Sequence, residues 1–103
     1  MLRLLISILV IGTVLTACGG SKTDVVDSGT YTGTLEEVVP EESEIYLSTD
    51  EDQLLELYFI DETTLTQAGD TVDFSVLEKG QRVEVEVKKV GKQLDPISVR
   101  ILE

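Results

Sequence analysis

Histidine is absent from the sequence, and the single cysteine, Cys18, directly follows an apolar run. Those two facts remove most protein chemistry. Zinc sites of Cys/His type, Ser-His-Asp triads and Cys-His pairs need residues this chain does not have. Ser75 and Lys79 are four apart, not the three of a Ser-x-x-Lys motif, and a turn accounts for both. Gly91-Lys92 is no phosphate loop, because Gln93 holds the Ser/Thr place and Glu86 that of the first Gly. Carboxylates and phenols remain.

Among 20 acidic side chains, two turns stand out as a candidate acidic ligand site: Asp50, Glu51 and Asp52 with Asp61 and Glu62. They can meet only if the strand between them is short. Hard cations such as Ca²⁺ take about six to eight oxygens. The calcium-loop pattern fails, since Leu55 fills the place of its Gly, so no metal site is assigned. Glu41, Glu42 and Glu44 form another acidic group, expected at the far end of the second strand from Asp50–Asp52. Tyr31, Tyr46 and Tyr58 read either as a stacking platform for sugars or as interstrand packing. No residue is assigned a catalytic role, no cofactor is expected, and the chain reads as non-enzymatic.

The first seventeen residues carry one charge, Arg3, ahead of the apolar run Leu4–Leu15. That run fits the ~7–15-residue apolar region of a secretory signal and falls short of the ~20 residues a spanning helix needs. A buried core helix would need a polar face, and Leu4–Ile11 offers only Ser7. Leu15-Thr16-Ala17-Cys18-Gly19 then resembles a lipobox, the motif read by bacterial lipoprotein-processing enzymes. The resemblance implies cleavage after Ala17, a thioether diacylglycerol on Cys18, and fatty acylation (palmitate) of the new amino group. Each buried CH₂ contributes about 0.8 kcal/mol, so two or three chains anchor stably. The chain is thereby expected in the bacterial cell envelope, facing outside the cytoplasm. Gly19 in place of Asp resembles the pattern sent to the outer membrane where two membranes exist.

Seven of the eight basic and all 20 acidic side chains lie beyond Ala17. A surface this acidic repels phosphates, which argues against nucleic acid, and it repels anionic lipid headgroups. It attracts cations and basic proteins. The function expected is a binding or structural module for a partner, with a basic protein as one candidate. The alternative is a weak site for divalent cations or oligosaccharide. Cys18 is lipid-bound and alone, so no internal disulfide can form and the domain depends on its core.

Three segments follow: the signal peptide 1–17, the lipidated Cys and flexible tether 18–29, and a β domain 30–103. Tyr31, Gly33 and Leu35 share one face, with threonines and Glu36 on the other. Ile45 and Leu47 alternate with Glu44, Tyr46 and Ser48. Leu55, Leu57 and Phe59 alternate with Leu54, Glu56, Tyr58 and Ile60. Val83, Val85 and Val87 alternate with charged residues, and Ile97, Val99 and Ile101 finish the pattern. Pro40–Ser43 and Thr49–Asp52 read as turns, Gly91-Lys92 as a two-residue hairpin with Gly first, and Pro96 as an edge or strand start. Between the third and fourth strands, Ser75–Gly80 reads as one helical turn capped by Ser75 and closed by a left-handed Gly80. The fold expected is all-β: a small five-stranded OB-like barrel with one short helical turn, preceded by a cleaved signal-peptide helix. Gly33-Thr34-Leu35, Leu55–Phe59, Thr63-Thr64 and Leu77–Val87 with Gly80 resemble small OB-like domains of unknown function in bacterial secreted proteins. That resemblance speaks to fold and says almost nothing of activity.

Replacing Cys18 with Ser should leave the protein at its precursor mass and without fatty acid. Metabolic labelling with a radioactive fatty acid checks this, and unchanged labelling of Cys18→Ser would defeat the lipobox reading.

Overall fold

The computed structural model of the protein describes residues 23–102; the expected signal peptide and Cys18 lie outside the described residues. Seven strands form one sheet: β1 (Gly29–Val39), β2 (Glu44–Thr49), β3 (Leu54–Tyr58), β4 (Thr64–Gln67), β5 (Asp70–Thr71), β6 (Arg82–Val90) and β7 (Gln93–Ile101). Their order across the sheet is β3-β2-β1-β6-β7-β4-β5. The class is all-β, as the alternation required. The five expected strands are present, and two short ones join them inside the long excursion. The hydrogen-bonded ladder runs from β3 to β5 without closing on itself.

β1 organises the rest. Its first half pairs with β6 over Gly29–Thr34, and its second half with β2 over Gly33–Val39. The partners overlap at Gly33 and Thr34, where the chain must bend between two ladders. A Cβ on Gly33 would lie 2.1 Å from the Ser48 carbonyl oxygen, so only glycine lets β2 approach this closely. A β-bulge at Glu36 then shifts the register between Leu35 and Glu37 and bends the strand further.

The bend wraps the sheet around an aliphatic interior. Leu35, Ile45, Leu47, Leu55, Leu57, Val83, Val85, Val87, Val99 and Ile101 are buried, each on the face the alternation assigned to it. Burying each such side chain is worth about 1.5–3 kcal/mol relative to exposure. Val26 also reaches this core. Asp24 lies against the start of β3: its amide donates to the Leu54 carbonyl (2.7 Å) and its carboxylate accepts from the Leu54 amide (2.9 Å). Contacts therefore begin upstream of Thr30, in sequence that reads as tether.

Three local expectations are corrected. The helical turn is a 3-10 turn at Phe74–Val76, with Asp73 and not Ser75 as its cap; Asp73 accepts from the Ser75 amide. Phe74 governs its placement, meeting Phe59 edge to face with ring centroids 4.9 Å apart. Pro96 is buried inside β7 rather than at an edge or start, because a bulge at Glu86/Val87 absorbs its missing donor. The same slip leaves Ile97 half-buried and brings Leu94 and Pro96 inward. Finally, β4 and β5 were concealed by polar sequence. Leu65 alone anchors β4, which runs parallel to β7 from Thr64↔Ser98 to Gln67↔Ile101.

The remaining turns follow the sequence. Pro40–Glu42 is a 3-10 turn closed by Ser43 in the left-handed region. Thr49 accepts from the amides of Glu51 and Gln53 through its hydroxyl. Val90 pairs with Gln93 across Gly91-Lys92, and Gly91 has φ 65. Gly80 has φ +97, as expected, with open space where a Cβ would project.

Gly33→Ala should therefore be worse than Gly80→Ala. The first forces β1 and β2 apart, costing about 3 kcal/mol or more as overpacking against fixed backbone. The second meets only backbone strain of about 1–3 kcal/mol. Denaturant melts of the two variants decide it, and equal losses would refute the close-approach argument.

Candidate functional site

The five residues singled out by the sequence do not form one site. Asp50, Glu51 and Asp52 follow β2 and precede β3, next to Ser48↔Leu54 in the ladder. Asp61 and Glu62 follow the other end of β3, beyond Glu44↔Tyr58. The condition for their meeting was a short β3, and its five residues hold them apart. Asp50 is also already engaged. Arg82 on β6 donates to both of its carboxylate oxygens, at 2.7 and 3.0 Å, and the Asp50 amide donates to Thr32. These bonds tie the β2–β3 turn across β1 to β6. Among the described residues no group of three or more His, Cys, Asp or Glu is placed to hold a metal ion.

The three tyrosines divide. Tyr31 lies on the Gly33–Leu35 side of β1 and donates to the Asp27 carbonyl at 2.7 Å. Tyr46 and Tyr58 share the outer face of β2 and β3. No three-ring platform forms.

That outer face carries an arrangement the sequence reading missed. Glu44 pairs with Tyr58, and Tyr46 with Glu56, in the β2–β3 register. Each tyrosine thus has one glutamate beside it along its own strand and another across the ladder. Glu37 of β1 extends the Tyr46–Glu56 row, and Val39 extends the Glu44–Tyr58 row. Tyr58 donates to Glu56 at 2.8 Å. Bonding to the Glu44 carboxylate pushes the Tyr46 phenol up to about 12. Tyr58 is also raised, by bonding to Glu56 first and Glu44 second. Both phenols therefore stay protonated and act as donors at neutral pH.

Glu44 is the anomaly. It is only 4% exposed, and its Oε2 has no hydrogen-bond partner. Alternation placed it outward, correctly, but the neighbouring side chains cover it. A signal was present: Glu44-Ile45-Tyr46 and Glu56-Leu57-Tyr58 are two copies of Glu-apolar-Tyr on adjacent antiparallel strands. Such units set side by side must alternate acid and phenol. Two surface depressions flank the square. One of about 460 Å³ is lined by Glu36, Glu37, Tyr46, Ser48 and Leu54. The other, of about 220 Å³, is lined by residues including Asp24, Glu56, Tyr58, Lys92 and Leu94.

The hydrogen bond from Arg82 holds the Asp50 carboxyl below its ordinary value of 3.8. A depressed acid contributes stability above its unfolded value, lost as the pH falls through the folded one. Arg82→Gln should return Asp50 toward 3.8, and a carboxyl-carbon NMR titration reads this directly. An unmoved midpoint would mean that the ion pair does not form in solution.

No protein-family model and no curated protein matches the sequence. The fold does match solved structures of CusF from Escherichia coli. Against CusF with Ag(I), the TM-score is 0.58 at 11% identity, covering 75% of this chain and 94% of that one. A tryptophan-to-alanine variant of CusF with Cu(II) gives the same figures. Apo-CusF gives a TM-score of 0.56 at 9% identity, covering 86% of this chain and all of that one. At this identity the likeness is one of fold: a small β-barrel type on a chain with different side chains.

Proposed function

We propose that this chain is a lipid-anchored, non-enzymatic binding module of the bacterial cell envelope, which presents an acidic OB-like domain to a basic protein partner. The observation that carries the reading is the filled interior. Aliphatic side chains occupy the inside of the curved sheet, so a ligand must be met on the outer surface, where carboxylates predominate. The Cys18 lipobox resemblance supports the anchor and the location outside the cytoplasm. The CusF likeness supports a small binding protein over an enzyme.

The metals of those CusF structures do not fit here. Copper and silver favour thiolate, thioether and imidazole ligands. This chain has no His, and its one Met and one Cys are Met1 and Cys18, outside the described domain. The side chains of the described domain that could hold a cation offer oxygen donors alone. The CusF likeness still favours a second reading, weak cation binding, and such a site would have to use carboxylates.

Association with a basic partner should be fast and fall steeply with salt, because charge acts mainly on the encounter rate. The check is capture from envelope extract by the immobilised full chain at low and physiological salt, beside an unrelated acidic protein of equal charge. A partner retained by this chain and not by the control supports the module. Identical partners on both would reduce the acidity to solubility.

A further inference from the structure

The acids of this domain are treated unequally. Asp50 is paired with Arg82, Glu84 with Arg100, and Asp27 with Lys89. Each of those pairs involves a cation on β6 or β7. On the outer face of β1–β3, Glu37, Glu44 and Glu56 have no ion pair among the described residues. The strands there contribute no Lys or Arg at all. Lys92 lines the depression beside Tyr58 and forms no ion pair with any of these three glutamates among the described residues.

Hydrogen-bond inventory then defines what this face can receive. A phenol has one proton to give. Tyr58 gives its own to Glu56, and the Glu44 carboxylate raises the Tyr46 phenol. The two phenols hold at most two protons between them, too few for the oxygens of Glu44 and Glu56, and the buried Oε2 of Glu44 is left as an open acceptor. A buried carboxylate oxygen without a partner is costly. The group that relieves it must donate hydrogen bonds and carry positive charge. It must also reach past Tyr58, which is 40% exposed and faces Glu44 across the ladder.

We propose that this Glu44–Tyr46–Glu56–Tyr58 square is the site that receives an arginine side chain of the basic partner. A guanidinium fits better than an ammonium. Its planar fork can bond carboxylates on two neighbouring strands at once, and its face can lie on an exposed tyrosine ring. The shallow depressions on both sides leave room for the flanking peptide. This rests on the binding-module reading above and assigns that module its contact surface.

The probe is N-acetyl-Gly-Arg-Gly-amide, titrated into the ¹⁵N-labelled full chain in detergent micelles. The citrulline counterpart has nearly the same shape without the charge. Saturable amide shifts at residues 44, 46, 56 and 58 are expected, with the citrulline peptide at least tenfold weaker. Glu44→Gln should weaken the arginine peptide about tenfold. Glu56→Gln serves the same purpose if the first variant fails to fold. Shifts spread over Asp50–Asp52 and the other exposed acids would overturn the proposal, as would no shift. Equal localised shifts with calcium chloride at matched ionic strength would overturn it too, in favour of a divalent-cation site. A partner captured from extract with no peptide binding here would sink this site and leave the module standing. Localised peptide binding with no selective partner would do the reverse.

Discussion

The contact between Gly33 and the Ser48 carbonyl sets the geometry from which everything else follows. β1 must serve β6 with one half and β2 with the other, and the two ladders overlap at Gly33 and Thr34. A strand that exchanges partners in so few residues has to bend there, and the inside of a bend has no room for a side chain. The missing Cβ brings β2 in close. Arg82 then reaches across β1 to hold the β2–β3 turn by Asp50. Without that approach the β2–β3 hairpin would stand away from β6, and Leu47 and Leu55 would lose the valines they are buried with.

The same curvature separates two kinds of surface. Where β6 and β7 supply arginines and a lysine, the acids opposite them are neutralised within the chain. Where β1, β2 and β3 form the outer face, nothing in those strands offsets the charge, and glutamates alternate with tyrosines. The CusF-like fold is carried here by an acidic surface. Sulfur and imidazole donors are absent from the domain, and oxygen acceptors in a sheet face stand out instead. Fold likeness at 11% identity is compatible with this, because barrel curvature depends on glycines, bulges and inward aliphatics and not on the outward residues.

Much of the fold was legible because the interior imposes a period of two on any half-buried strand. Val83, Val85 and Val87, and Ile45 with Leu47, could point only one way. What could not be read was set by long-range context. β4 has one apolar anchor, Leu65, and is a strand because β7 offers it a parallel edge. Its turn, Ala68-Gly69, takes positive φ at both residues without the usual Asn-Gly signal. The bulge opposite Pro96 shifted the inward set from Ile97 to Leu94 and Pro96, and alternation alone cannot announce a bulge. The acidic turns were paired on the condition that the strand between them is short. The ladder then placed them at opposite ends of β3. Nothing in local sequence reports which acids lie across a sheet from one another.

Glu44 shows why the outer face is more than a solvated surface. A side chain in the second row of an exposed sheet, between Val39 and Tyr58, would be satisfied as Val, Thr or Gln at lower cost. Desolvating a carboxylate is among the more expensive choices a sheet can make, and one phenol bond does not saturate its two oxygens. The neighbours do not relieve the cost; they concentrate it, because Glu37 and Glu56 repel the same charge from the adjoining strands. A face organised only for stability would place Lys or Arg opposite one of them, as β6 and β7 do with Arg82 and Arg100. Phenols stand there instead, each donating once and leaving the remaining lone pairs open. The arginine site proposed above rests on this cost, since acceptors left open within the face are satisfied only by a donor from outside the chain.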